Sequence, residues 1–208
     1  NVEVAVACAT MPEVPQNFAY PYPCYRSKSF SYLTPYLFQR NQIKMIKKEQ
    51  PNVLHGPMLH GGGYWAMQLA NKFNLPFVGQ SHGSDVQVVE EIGYGACLDK
   101  NLRAKIQKVM HRADKLIAVS SLNKENMIDL GALPENISVI PNGVHFNEIQ
   151  AIPFKNLRPI LGLNDDDFVL ITVGRNRPIK RMELLFQALR QLEEVKTIKC
   201  LCVGPIED

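Results

Sequence analysis

The chain has 208 residues, 46% hydrophobic and 21% charged, with a net charge of +3. That is enough apolar material for a sizeable core, and too small an excess of positive charge to argue for a nucleic-acid partner. No apolar run is long enough to cross a bilayer and no signal-peptide pattern opens the chain. The five irregularly spaced cysteines read as thiols of a reducing cytosol.

Taken in order, residues 2–9 read as a short strand and residues 11–31 as an extended surface loop. Pro15, Pro21, Pro23 and the tyrosines between them set the composition of that loop. Thr34 and Pro35 form an N-cap and first-turn pair, so a helix runs from there to about Glu49, and Pro51 stops it. Val53 and Leu54 begin a strand that leads into the turn HGPMLHGGG. A helix follows, with Ala66, Leu69, Ala70 and Phe73 on one face. Residues 75–79 form the next strand and deliver Ser81, His82, Gly83, Ser84 and Asp85 at its carboxyl end. Leu102, Ile106, Val109 and Ala113 mark a helix, residues 116–119 a strand, and Ser120 or Ser121 caps a helix that ends at Gly131. Residues 137–140 are a strand, followed by Pro141, Asn142, Gly143 and Val144. Strand and helix alternate throughout. The predicted fold class is therefore α/β, a parallel sheet with helices on both faces. In such folds ligands bind beyond the carboxyl ends of the strands, where His82, Asn142 and Arg175 stand.

Pro153 and Pro159 break this rhythm, which predicts a first domain over residues 1–150 and an incomplete second one over 151–208. Asp165, Asp166 and Asp167 precede a strand rather than follow one, so they read as a turn and not as a metal site. Residues 168–173, FVLITV, are an unbroken β-branched-rich run of the kind that is buried on both faces of a parallel sheet. Gly174 ends the run. Arg175, Arg177, Lys180 and Arg181 crowd the following turn, and Met182, Leu185, Leu189 and Leu192 share the apolar face of the next helix. A strand ending in Gly and cations at a helix start offers free N–H groups, the positive end of the dipole and formal charge to an anion. The alternative is a solvated basic turn. Cys200 and Cys202 share one face of the last strand and read as core.

Three segments carry a resemblance: HGSD with the preceding LANKFNLPFV, the run from Ala113 to Val144 ending in PNGV, and VGRNRPIKRMELLFQAL. Together, in this order, they resemble retaining glycosyltransferases of the GT-B fold, family 4, closest to the bacterial enzymes that build envelope polysaccharide. The resemblance implies two Rossmann-like domains facing across a cleft, the first for the acceptor and the second for the sugar nucleotide. It implies that Gly174, Arg175 and Lys180 hold the donor diphosphate, that His82 lies at the transferred sugar, and that Asn142 and Gly143 sit at the cleft. It implies a UDP- or GDP-sugar donor, a saccharide or lipid-linked acceptor and no cofactor or metal. The family's first strand with its Gly-rich loop should precede Val2, and its paired-glutamate motif should follow Asp208. Where members usually have Asp after PNGV, His145 stands here. A non-catalytic fragment that holds nucleotide or a partner is the alternative of another class. The GRNRP turn lacks the GxGxxG of a dinucleotide-dependent oxidoreductase, and the PNGV and GR…K pair argues against a sugar-nucleotide epimerase.

Two further readings come from the residues. Gly62 and Gly63 at a helix start can receive an anionic acceptor group, or simply serve a tight strand-to-helix turn. The basic groups Arg40, Lys44, Lys47 and Lys48, and Lys100, Arg103, Lys105, Lys108, Arg112 and Lys115, are either solvated helix faces or a docking surface for anionic lipid. The second reading would place a cytoplasmic protein at the inner face of the plasma membrane.

Overall fold

A computed structural model describes residues 2–9, 21–27, 34–192, 194 and 197–205. The chain divides into two compact units, residues 1–88 with 95–141, and residues 89–94 with 142–208.

The first unit is built on a four-stranded parallel sheet in the order β3-β4-β5-β6: Leu54–Pro57, Phe77–Ser81, Lys115–Ala118 and Ile137–Val139. Parallel neighbours need crossovers, and these are supplied by α2 (Gly62–Phe73), α3 (Lys100–Arg112) and α4 (Ser121–Asp129). The alternation expected from the apolar spacing is therefore present. Ser120 caps α4 by accepting from the Asn123 amide, and Asp99 caps α3 by accepting from Asn101 and Leu102. Gly131 takes the left-handed conformation just past α4, with φ of 101°. The core gathers Leu59, Met67, Phe77, Ile106, Leu116 and Met127, all fully buried.

A smaller parallel pair, β1 (Val6–Ala9) and β2 (Cys24–Ser27), lies against α1 (Thr34–Glu49). Strand β2 falls inside the stretch whose Pro-rich composition reads as loop. Tertiary pairing with β1 overrides local composition there. The rest of that predicted loop, residues 10–20 and 28–33, lies outside the described residues. The Cys8 and Cys24 sulfurs are 3.6 Å apart, and all five cysteines are free thiols. Burial, followed by the neighbouring Cys24, pushes the Cys8 thiol above its ordinary pKa.

The second unit contains a short helix, α5 (Phe146–Gln150), and one parallel pair, β7 (Phe168–Val173) with β8 (Ile198–Val203), joined through α6 (Met182–Arg190). Residues 164–167 form the expected turn, in which the Asp167 carboxylate accepts from the Asn164 amide at 2.7 Å. The double burial predicted for β7 is not found. Phe168, Ile171 and Val173 are 64%, 65% and 73% exposed, because β7 has β8 as its only strand neighbour among the described residues. Cys202 is likewise exposed rather than core, and Cys200 is only part-buried. No described helix is long and apolar enough to cross a membrane.

Candidate functional site

The carboxyl ends of β3, β4 and β5 meet at one pole of the first unit. The β3–α2 turn is unusually tight. Met58 takes a left-handed φ of 60°, and its carbonyl accepts from both Gly61 and Gly63 at 2.9 and 3.0 Å. A Cβ on Gly62 would stand 2.7 Å from the Pro57 carbonyl oxygen, and one on Gly63 would stand 3.1 Å from that of Met58. The glycines are thus required by the close passage of the chain itself, which is the structural half of the reading left open from the sequence.

Strand β4 ends at Ser81, and the loop that follows wraps around the Asp85 carboxylate. Asp85 is fully buried. One oxygen accepts from the Ser81 hydroxyl at 2.7 Å and from the His82 and Gly83 amides at 3.2 and 3.1 Å. The other accepts from the Leu59 amide at 3.0 Å, across the β3–α2 turn. Ser81 in turn accepts from the Asn123 side-chain amide at 3.0 Å, and Asn123 accepts from the Val119 amide at 3.3 Å. A buried polar chain therefore links the ends of three strands. His82 is exposed above it, and nothing stands within 4 Å of a Cβ placed on Gly83, whose φ is 113°. Sequence reasoning missed Ser81, Asp85 and Asn123 as a unit. The available signal was an acid four residues after a serine at a strand end, among glycines.

Asn142 and Gly143 lie in an exposed stretch without regular structure beyond β6. Nothing stands within 4 Å of a Cβ placed on Gly143. They group with the second unit.

In that second unit the β7–α6 connection brings Gly174, Arg175 and Lys180 into one turn. Gly174 donates to the Val203 carbonyl at 2.8 Å, which closes the end of the β7–β8 ladder. Its φ of 154° redirects the chain. Arg177 donates back to the Arg175 carbonyl at 2.9 Å, and Pro178–Lys180 form a 3-10 turn. Arg181, left-handed at φ of 51°, opens α6. Arg175 and Lys180 are both exposed. A shallow depression beside this turn is lined by Ile92, Asn176, Arg177, Pro178 and Glu183. With two cations at a helix start and the Glu183 carboxylate paired to Arg181 at 3.8 Å, the turn presents net positive charge.

Most of the basic residues on α1 and α3 are exposed, but Arg112 is not part of a free surface. It donates to the Asn71 side chain and to the Leu75 carbonyl, and it pairs with Asp114 at 3.2 Å. Among the described residues, no three His, Cys, Asp or Glu side chains gather as a metal site would require.

Comparison with known proteins agrees with the resemblance drawn from the motifs. The sequence model of a family described as Glycosyltransferase Family 4 matches residues 1–148. A D-inositol 3-phosphate glycosyltransferase of Kineococcus radiotolerans is 36% identical over 88 residues, which is 41% of this chain and 20% of that protein. The lipopolysaccharide 1,2-N-acetylglucosaminetransferase of Salmonella typhimurium is 31% identical over 120 residues, 53% of this chain and 32% of its own length. Among solved structures, Anabaena HepE in complex with UDP and glucose superposes with a TM-score of 0.68 at 18% identity, covering 89% of this chain and 49% of HepE. That likeness is one of fold, GT-B. The chain thus spans about half of HepE and a smaller share of the curated relatives.

Proposed function

The chain belongs to glycosyltransferase family 4, and from that membership we propose that it serves to move a sugar from a UDP- or GDP-sugar to a saccharide or lipid-linked acceptor in envelope glycan synthesis. The observation that carries this reading is the turn at the end of β7, where Gly174, Arg175 and Lys180 come together on an exposed, positively charged edge. As the glycosidic bond to the diphosphate breaks, negative charge grows on the bridging oxygen. Cations already in place there stabilise the transition state more than the bound donor. Arg175 grips two phosphate oxygens as a planar fork, and Lys180 supplies a point charge. The charge is met by side chains, so transfer with retention of configuration needs no metal in this reading. His82, exposed on a clamped backbone, hydrogen-bonds the transferred sugar. By the family's pattern Asn142 and Gly143 are the cleft residues, and Gly62 and Gly63 are the candidates for the acceptor. HepE, a GT-B protein, is described as bound to UDP and glucose, and the Salmonella relative acts on lipopolysaccharide, which supports the same donor and acceptor classes here. The protein works in the cytoplasm, with its basic helix faces against anionic lipid at the inner face of the membrane.

Lys180→Ala in the full-length protein is the test. Turnover of the sugar nucleotide should fall on the order of a hundredfold, with thermal stability unchanged. Unchanged turnover would remove the donor site from this turn.

A second reading is a module that holds nucleotide or a partner without turnover. Arg175 and Lys180 on the exposed turn after β7 can hold a diphosphate without turnover as well as with it. UDP binding and sugar-nucleotide hydrolysis, measured on this chain and on an extended one, separate the two. Turnover only on extension assigns the module reading to these 208 residues and the transferase reading to the parent.

A further inference from the structure

We propose that Asp85 is a positioning residue: its carboxylate locks the His82 loop and the Leu59 turn into one frame, so that the sugar-side and acceptor-side loops move as a unit. The proposal rests on the glycosyl-transfer reading above for what the two loops do, and on the hydrogen-bond geometry alone for their coupling.

Three features carry it. First, the anchoring is shared. One Asp85 oxygen serves the His82 and Gly83 amides and the Ser81 hydroxyl, and the other serves the Leu59 amide from a different crossover. Neither loop can shift without losing a bond to a common group. Second, the direction of the network is determined. Ser81 donates its single proton to Asp85, so its lone pairs are left for Asn123, whose side-chain oxygen meanwhile accepts from Val119. Helix α4 is thereby tied into the same frame. Third, the enclosure is particular to this end of the strand. A carboxylate taken out of water is costly unless preorganised donors meet it, and here three amides and a hydroxyl do. Asp114 offers a contrast at the other end of β4. It also accepts from a strand amide, that of Phe77 at 2.8 Å, but its side chain is 57% exposed and faces Arg112. A structural bond to β4 is thus made without burying the charge. Only at the carboxyl end, beneath the exposed His82, is the carboxylate fully enclosed. Small displacements of a reacting group cost large factors in rate, which gives a rigid post under His82 a purpose.

The test compares Asp85→Asn, Ser81→Ala and Asp114→Asn with the wild type. Amide hydrogen exchange on the 208-residue chain reads the frame. Asp85→Asn should raise exchange at Leu59, His82 and Gly83 together, leave Ile117 in the middle of the sheet protected, and have no counterpart in Asp114→Asn. Release of UDP from UDP-glucose by the full-length protein reads the positioning. Asp85→Asn should lower kcat at least about tenfold with KM for the donor within about twofold, and Ser81→Ala should fall between it and the wild type. Asp114→Asn should keep its kcat even where it unfolds at as low a temperature. Should Asp85→Asn not fold, Ser81→Ala decides by the same two readouts. Unchanged protection at the three amides, or losses of kcat that merely follow melting temperature across all three variants, would overturn the proposal. If the wild type turns over no sugar nucleotide, the transfer reading falls. The exchange pattern alone then upholds or overturns the coupling of the two loops.

Discussion

Gly204 lies directly against Gly174: a Cβ built on Gly204 would stand 2.0 Å from the Gly174 carbonyl oxygen. The two glycines end β8 and β7, so this approach sets the point at which the basic turn departs from the sheet. Gly204→Ala must push the strand ends apart, since backbone rather than a flexible side chain stands in the way. We expect the β7–β8 pair to lose about 1–3 kcal/mol, read from hydrogen exchange of the β7 amides. Gly143→Ala, with no atom within 4 Å of the added carbon, should leave stability unaltered. Equal protection in both variants would contradict the close packing.

The same logic applies to β3 and α2. A Cβ on Gly56 would meet the Gly63 Cα at 2.6 Å and the Ala66 Cβ at 2.9 Å. Gly56→Ala should therefore lift α2 from the sheet and destabilise the first unit by about 1–3 kcal/mol in a denaturant titration. A midpoint equal to that of the wild type would show that the helix can shift without cost.

Acid stability should depend on Asp114. The hydrogen bond from the Phe77 amide, and then the Arg112 guanidinium, hold its carboxyl below the ordinary aspartate range. A folded-state value below the unfolded one contributes stability that is present above the ordinary aspartate value of about 3.9 and is lost as pH falls through the folded value. Asp114→Asn should thus be less stable than the wild type at neutral pH, and the difference should shrink on acidification below about pH 4. Melting curves from pH 3 to pH 7 check this. A difference that grows towards low pH would reverse the sign.

Lipid binding is tested by sedimentation with vesicles. The exposed ammonium and guanidinium groups of Lys100, Arg103 and Lys108 on α3 should retain the protein on vesicles containing phosphatidylserine and not on neutral ones, with retention falling as salt rises. Replacing all three by Gln should lower retention, with the exposed Arg40, Lys44, Lys47 and Lys48 of α1 left to hold the remainder. Arg112 is left in place because it clamps Asn71, Leu75 and Asp114. Retention that ignores both salt and the substitutions would exclude the α3 face.

Much of the candidate site could be read before the fold was known. The basic turn after Gly174 is a local pattern, cations between a strand and a helix, and folding only has to keep neighbours in sequence together. His82 at the end of β4 was legible for the same reason. The Ser81–Asp85–Asn123 chain was not. Asn123 is 42 residues from the hydroxyl it donates to, and Leu59 is 26 residues from the carboxylate it binds. Nothing local distinguishes an Asp that caps its own turn from one that fastens two crossovers. The Gly62 and Gly63 question was undecidable for a related reason, since only the path of the chain past Pro57 and Met58 shows how little room a side chain would have.

The sequence by itself determined the alternation of strands and helices and the place of the positive turn, because apolar periodicity and turn chemistry act over a few residues. Tertiary structure alone decided that Cys24–Ser27 is a strand paired to β1, that Phe168, Ile171 and Val173 of β7 stay exposed, and that Asp85 is enclosed. Each of these depends on which distant segment arrives as a neighbour, and burial is a property of that arrival.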